Sequence, residues 1–216
     1  MVFRIDVISD VVCPWCFIGK RRLEQALQLI EADGFEAKAI EVVWRPFQLN
    51  PQLPREGMSR AQYVSAKFGG RGEDIYARVA RVGEALGIDF AFERIVRQPN
   101  TLAAHQLIDL ARESGAQDRM VERLFRGYFL DGEDLTEHAT LIAAAARAGI
   151  DPERARACLE DEQHRQAIVE QDEEARELGV TGVPFFVFSG QLAVSGAQEP
   201  QVLVRAFKQA AAEVPA

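Results

Sequence analysis

Two cysteines, Cys13 and Cys16, are separated by two residues and follow directly after the mostly apolar residues 7–12. Residues three apart in a helix lie on one face, so two thiols at this spacing can form and open a disulfide with each other. If a helix begins at Pro14, Cys13 is its N-cap, where free N–H groups and the positive end of the helix dipole favour a thiolate. The spacing therefore predicts an exposed nucleophilic Cys13 and a resolving Cys16.

Two other uses of this cysteine pair are less consistent with the chain. A zinc site needs four ligands, and the remaining candidates do not have zinc-like spacing; they are Cys158, His105, His138 and His164. A purely structural disulfide is unusual in the cytosol. We predict redox chemistry and no metal.

Composition limits the partners of the chain. Among 216 residues, 25 are Lys or Arg and 33 are Asp or Glu, which gives a formal charge of -8. This balance argues against nucleic acid or an anionic membrane as a partner. No basic-then-apolar leader is visible, and no apolar segment reaches the length of a membrane helix. We expect a cytoplasmic protein that is a monomer or a homodimer.

The hydrophobic pattern predicts how the two thiols are positioned. A strand over 3–9, a helix over 14–32 and a strand over 39–44 form a βαβ unit with a parallel strand pair. Residues 59–178 have an almost entirely helical pattern, for which we predict five to six helices. The rest of the chain predicts a hairpin of two strands, over 183–188 and 191–195, and a last helix over 200–212. We expect an α/β fold with a central mixed sheet.

Five segments carry a resemblance to a known family: residues 6–20, 44–51, 100–101, 182–186 and 195–198. They resemble the DsbA branch of the thioredoxin superfamily, and within it the FrnE-like cytosolic dithiol oxidoreductases. The resemblance implies a thioredoxin fold with a large helical insertion. It assigns residues 1–58 and 179–216 to the thioredoxin-like domain and residues 59–178 to the insertion.

The same resemblance implies a protein-disulfide oxidoreductase that acts on protein or small-molecule thiols and disulfides. It implies no tightly bound cofactor, with glutathione as a candidate redox partner. Two relatives of the same architecture, 2-hydroxychromene-2-carboxylate isomerase and kappa-class glutathione transferase, generally have a serine where Cys13 stands. A glutathione-dependent isomerase or transferase is therefore one alternative, and a non-catalytic peptide-binding module is another.

The resemblance also implies the substrate-binding residues. Val183 and Pro184, joined by a cis peptide, are expected to hold a substrate chain beside the dithiol, although a proline that begins a strand can also mark an edge or a turn. Pro14 and Trp15, which lie between the cysteines, are also predicted to bind substrate. Trp15 and Phe17 either form an apolar lip near the thiols or belong to the core. Asn100 is expected to line the substrate cleft and also to begin a helix.

Three further positions leave alternatives open. The backbone around Ser195 and Gly196 either binds a carboxylate, such as one of glutathione, or forms a plain turn before a helix. Asp10 either caps a turn or handles a proton near Cys16. Cys158 is either a small buried residue or a third redox thiol. The dipeptide Pro14-Trp15 lacks the histidine of periplasmic DsbA, so we expect a less oxidising couple.

Overall fold

The computed structural model of the chain describes residues 2–35 and 39–213. The predicted thioredoxin-like segments also include residues 1, 36–38 and 214–216, which lie outside the described part. Four strands form the main sheet: β1 (Phe3–Ser9), β2 (Ile40–Pro46), β5 (Phe185–Phe188) and β6 (Leu192–Ser195). Their order across the sheet is β2-β1-β5-β6. A separate two-residue ladder joins β3 (Met58–Ser59) to β4 (Arg97–Gln98).

Helices surround this sheet. They are α1 (Pro14–Ala32), α2 (Arg60–Phe68), α3 (Gly72–Glu84), α4 (Leu102–Arg112), α5 (Gln117–Arg126), α6 (His138–Arg147), α7 (Pro152–Glu160), α8 (Glu162–Glu177) and α9 (Pro200–Glu213). Short 3-10 turns cover Gly69–Arg71 and Phe92–Arg94, and a π-helical turn covers Gly127–Asp131. Within the described ranges, no helix combines the length and the hydrophobicity that a membrane crossing requires.

The segment 59–178, all of which the structure describes, contains seven α-helices, so the prediction of five to six was wrong. The additional break falls at Asp161, which ends α7 and caps α8. Its Oδ1 accepts hydrogen bonds from the backbone N–H groups of Gln163 and His164, at 2.9 and 3.1 Å. An N-cap aspartate separates two helices without a glycine or a proline, so the sequence carries only a weak signal at this break.

The predicted mixed sheet is confirmed. β1 pairs with β2 in parallel, with Val7 opposite Trp44, and with β5 in antiparallel orientation, with Val7 opposite Phe186. Ile5 and Val7 are buried on one face of β1 and belong to the main hydrophobic core, whereas Ile8 packs on the other face. The first half of β1 alternates between buried apolar and half-buried charged residues, and its last three residues are all buried.

The helical insertion shares a core with the dithiol helix α1. Phe17, one residue after Cys16, stacks on Phe125 of α5 with ring centroids 5.0 Å apart and lies 6.3 Å from the ring of Phe129. All three rings are fully buried. Aromatic stacking of this kind adds to the free energy gained from burying the rings. The insertion is thereby packed directly behind the two cysteines.

Candidate functional site

Cys13 occupies the N-cap of α1, as the sequence predicted. Its backbone is extended, with φ -93° and ψ 111°, and Pro14 takes the first helical position. The Cys13 N–H donates to the carbonyl of Asp10 at 3.0 Å, and the Cys13 carbonyl accepts from the N–H of Cys16 at 3.0 Å. Proline fits the first helical position because no intrahelical partner exists there for an N–H. The turn before α1 thus places both cysteines at the carboxyl end of β1.

Both cysteines are buried, with Cys13 5% and Cys16 1% exposed. The expectation of an exposed Cys13 was therefore wrong. The loop before β5 packs against it, and the Cys13 thiol donates to the Val183 carbonyl with a distance of 3.6 Å between Sγ and O. Both cysteines are free thiols in this structure. The sulfur of Cys13 thus lies beside the backbone of this loop.

The environment of Cys16 favours its protonated form. Burial raises the pKa of Cys16 well above its usual range, and the hydrogen bond and charge of Cys13 raise it further. Hydrogen bonds from the Asp10 backbone and the Ser9 side chain offset only part of this increase. The physical cause is the loss of hydration that a buried thiolate would suffer. Cys16 therefore keeps its proton in the dithiol form.

The loop that faces Cys13 is held from two sides. Its Val183–Pro184 peptide bond is cis. The Pro184 carbonyl accepts a hydrogen bond from the Gly196 N–H at 2.8 Å. These two residues flank the last pair of the β5–β6 ladder, in which Ser195 lies opposite Phe185. This bond uses the N–H that the carboxylate-binding alternative assigned to Gly196, so the geometry favours the plain turn. Ser195 itself is exposed.

Asn100 anchors a loop and the start of α4. Its Oδ1 accepts from the Leu102 N–H at 3.0 Å and from Gln48 Nε2 at 3.1 Å, and its Nδ2 donates to the Leu53 carbonyl at 2.8 Å. It also lines a cavity of about 620 Å³ whose wall includes Arg97, and neither cysteine belongs to that wall.

Trp15 and Phe17, both candidates for an apolar lip beside the thiols, have separate roles. Trp15 is 40% exposed next to the buried cysteines, whereas Phe17 is fully buried in the core. Pro14, which starts the helix, is partly exposed. A partly exposed tryptophan presents a large, rigid apolar surface. Of the two aromatic residues, Trp15 is the one with a surface that a bound molecule can contact.

Asp10 is fully buried behind the turn, and it does not cap the turn with its carboxylate. Its Oδ2 accepts the Leu49 N–H at 2.7 Å. Its Oδ1 lies 3.6 Å from Nε2 of His105, which is also buried, and neither atom has a hydrogen-bond partner within the described part of the chain. The contact between His105 and Asp10 has no signal in the sequence, because the pattern of a helix does not show which strand end the helix faces.

Cys158 lies at the end of α7 and forms its own contacts. It is buried, its thiol donates to the Gln106 carbonyl at 3.5 Å, and its Sγ lies 3.2 Å from Nδ1 of His164. Burial, followed by the charges of Asp109, Asp161 and Glu113, raises its pKa to about 12. These contacts agree with the interpretation of Cys158 as a small buried residue. Among the described residues, no group of three or more His, Cys, Asp or Glu side chains could hold a metal ion.

Comparisons with known proteins agree with this geometry. The family model of the DSBA-like thioredoxin domain matches residues 4–208. The protein YwbO of Bacillus subtilis (strain 168) is 27% identical over 215 residues, which cover 96% of each chain. The crystal structure of a probable DsbA oxidoreductase, SCO1869 from Streptomyces coelicolor, is 32% identical with a TM-score of 0.86, over 99% of this chain and 92% of that one.

A more distant solved structure shows the same fold. The cytosolic disulfide reductase DsbM from Pseudomonas aeruginosa, determined with glutathione, has a TM-score of 0.66 and is 18% identical. The match covers 98% of this chain and 100% of DsbM. At this identity the likeness concerns the fold alone.

Proposed function

This chain belongs to the family of DSBA-like thioredoxin domains, and from that premise we propose that it is a thiol–disulfide oxidoreductase in which Cys13 is the nucleophile and Cys16 the resolving thiol. The observation that carries the proposal is the unequal environment of the two thiols. Burial keeps Cys16 protonated, whereas Cys13 caps α1 at the positive end of the helix dipole. The first attack therefore belongs to Cys13.

The reaction proceeds in two displacements. The Cys13 thiolate attacks one sulfur of a substrate disulfide, so that a bond from Cys13 to that sulfur forms and the other sulfur leaves as a thiolate with the electron pair. Cys16 then loses its proton and attacks Cys13, which releases the second substrate thiol. The protein ends with a Cys13–Cys16 disulfide, and two electrons have passed to the substrate. The reverse sequence oxidises a substrate dithiol.

The surroundings of Cys13 suggest how a substrate is held. The Val183 carbonyl already accepts a hydrogen bond from the Cys13 thiol, so the backbone of Val183 and Pro184 is positioned to face a chain bound beside the sulfur. Trp15 adds an exposed apolar surface next to it. We propose protein or small-molecule thiols and disulfides as substrates. Glutathione, which is present in the solved structure of DsbM, is a candidate redox partner, and the cytoplasm is the proposed compartment.

The proposal is tested with single cysteine variants assayed for insulin reduction and for oxidation of a dithiol peptide. Cys13→Ser should abolish both activities. Cys16→Ser should accumulate a mixed disulfide at Cys13, detectable as an added mass on the peptide that contains it. Cys158→Ser is the matched control, because it removes a buried thiol outside the site and should retain activity. Full activity in Cys13→Ser would show that the mechanism is wrong.

The same variants separate the alternatives. A glutathione-dependent isomerase or transferase would require glutathione for turnover and would tolerate the loss of Cys16. A non-catalytic peptide-binding module would show no exchange with any disulfide. Because this chain has a cysteine at both positions of the motif, dithiol exchange is the function that its residues support best.

A further inference from the structure

The cavity of about 620 Å³ beside Asn100 is lined by charged side chains from separate parts of the chain. Three of them are arginines: Arg55 lies before β3, Arg97 in β4 and Arg165 in α8. The volume falls within the range of about 300–1,000 Å³ that is typical of small-molecule sites. Residues so far apart in the sequence meet only through tertiary packing, so the cavity is a feature of the fold rather than of one helix.

Arg165 is a cation whose charge is poorly matched. Its side chain is 22% exposed, and within residues 2–35 and 39–213 the only carboxylate within 4 Å of it is that of Glu162, at 3.6 Å from Nε. This distance is too long for a hydrogen bond. Burial lowers the pKa of Arg165, and the charge of Arg55 lowers it further, whereas Glu162 opposes both effects. Because an arginine stays protonated at neutral pH, Arg165 keeps a positive charge that a closer anion would stabilise.

Arg55 uses the same carboxylate as Arg165. Its Nη2 donates to both oxygens of Glu162, at 3.3 and 3.2 Å. Glu162 is 73% exposed and does not belong to the cavity wall, whereas both arginines do. Two guanidinium groups therefore share one carboxylate that lies outside the wall, which leaves one positive charge in excess beside the cavity.

The carboxylates of the wall do not remove this excess. Asp134 is paired with Arg97, with 3.8 Å between Oδ2 and Nε. Glu56 and Glu137 also line the cavity, but both residues are exposed. An exposed charge keeps its hydration and gains little from a partner, whereas the partly buried Arg165 has lost some of its hydration and gains more. The wall therefore favours an anion next to Arg165.

We propose that this cavity binds a small polar anion that carries a phosphate or a carboxylate group, held by Arg165 and Arg55. The planar N–H donors of a guanidinium group match either group. Because a phosphate alone would fill only a small part of the cavity, the ligand has a further polar part, and the side chains of Thr136 and His138 lie in the same wall. Neither Cys13 nor its partner thiol lines this wall, so binding here is separate from disulfide exchange.

Isothermal titration calorimetry of the whole protein at low ionic strength tests this site with glucose 6-phosphate, citrate and neutral glucose. At least one of the two anions should bind at one site per chain, and glucose should not bind. The anion that binds distinguishes a phosphate ester from a polycarboxylate as the ligand class. Arg165→Met should weaken the binding of that anion by about tenfold or more, as expected for a lost hydrogen bond to a charged group.

Arg156→Met is the matched control for Arg165→Met. Arg156 lies 3.7 Å from the carboxylate of Glu153, three residues before it, as Arg165 does from Glu162 at 3.6 Å. It does not line the cavity, so its loss should leave the affinity unchanged. Equal affinities in the two variants would overturn the inference, as would the absence of binding by either anion or equally tight binding of glucose.

Glu162→Gln tests the same site with the opposite sign and does not depend on whether Arg165→Met folds. It removes the carboxylate that both arginines share, so the anion should bind several-fold more tightly. An affinity that stays the same or falls would contradict the site. Cys13→Ser should bind the anion as the unmodified protein does, so a failure of the proposed disulfide exchange leaves this test intact.

Discussion

Gly19 of α1 lies directly against the ring of Pro184. A Cβ atom at Gly19 would lie 2.8 Å from Cγ of Pro184 and 3.3 Å from Cζ of Phe186. The first of these distances is too short for two carbon atoms, so any side chain at position 19 forces the helix and the loop apart. The absence of a side chain at Gly19 is what allows the dithiol helix and the loop facing Cys13 to pack closely.

Gly19→Ala should therefore destabilise the protein and slow disulfide exchange. Overpacking costs about 1–3 kcal/mol, which exceeds the gain of about 1 kcal/mol from the higher helix propensity of alanine. Urea unfolding and the exchange rate measure the two effects. Gly70→Ala is the matched control, because a Cβ at Gly70 meets nothing within 4 Å. Equal stability of the two variants would contradict the close packing.

Asp10→Ala should reduce stability more than Asp10→Asn does. Alanine leaves the Leu49 N–H without its acceptor, and an unsatisfied buried donor costs about 1–3 kcal/mol. Asparagine retains an oxygen at the same position and should cost less. Thermal and urea unfolding of both variants give the comparison, with Asp89→Ala, at an exposed position, as the control. Equal losses in the alanine and asparagine variants would exclude this role of the Leu49 bond.

Iodoacetamide should alkylate Cys13 of the reduced protein faster than Cys16 and Cys158. The raised pKa of Cys16 and of Cys158 keeps both protonated near neutral pH, and only the thiolate reacts with iodoacetamide. Cys13 should therefore be modified first. Timed quenching at pH 7.5 (about 1 unit below an ordinary thiol pKa), followed by peptide mass mapping, determines the order. Modification of Cys16 at the rate of Cys13 would argue against the assigned roles.

The stability of the reduced protein should fall with rising pH in a way that depends on Cys158. The unfolded thiol ionises near pH 9.0 and the folded one near 12. Between these values the unfolded state has lost a proton that the folded state retains, so the free energy of unfolding falls by at most about 1.4 kcal/mol per pH unit. Urea unfolding at about pH 8 and pH 10 should show this loss in the unmodified protein. In Cys158→Ala the loss should be smaller by about 1.4 kcal/mol, and identical pH dependence in the two proteins would refute the assignment.

Local signals were sufficient for the elements that carry the dithiol. Hydrophobic alternation, Pro14 after Cys13 and the apolar pattern of α1 predicted the strand, the N-cap and the helix correctly, since these features depend on neighbouring residues alone. The parallel pairing of β1 with β2 followed from their separation by a helix. Asp161 shows the limit of such signals, because a single capping side chain divided α7 from α8.

Only the tertiary structure decided what surrounds the sulfurs. Contacts such as Cys13 with Val183, Gly19 with Pro184, and Asp10 with His105 join residues from separate parts of the chain. Their distances depend on how the insertion and the last hairpin pack onto the sheet. The sequence by itself determined that this protein has two thiols able to exchange with a disulfide. Tertiary packing decided that both are buried, because exposure is a property of everything that packs around a residue rather than of its neighbours in the chain.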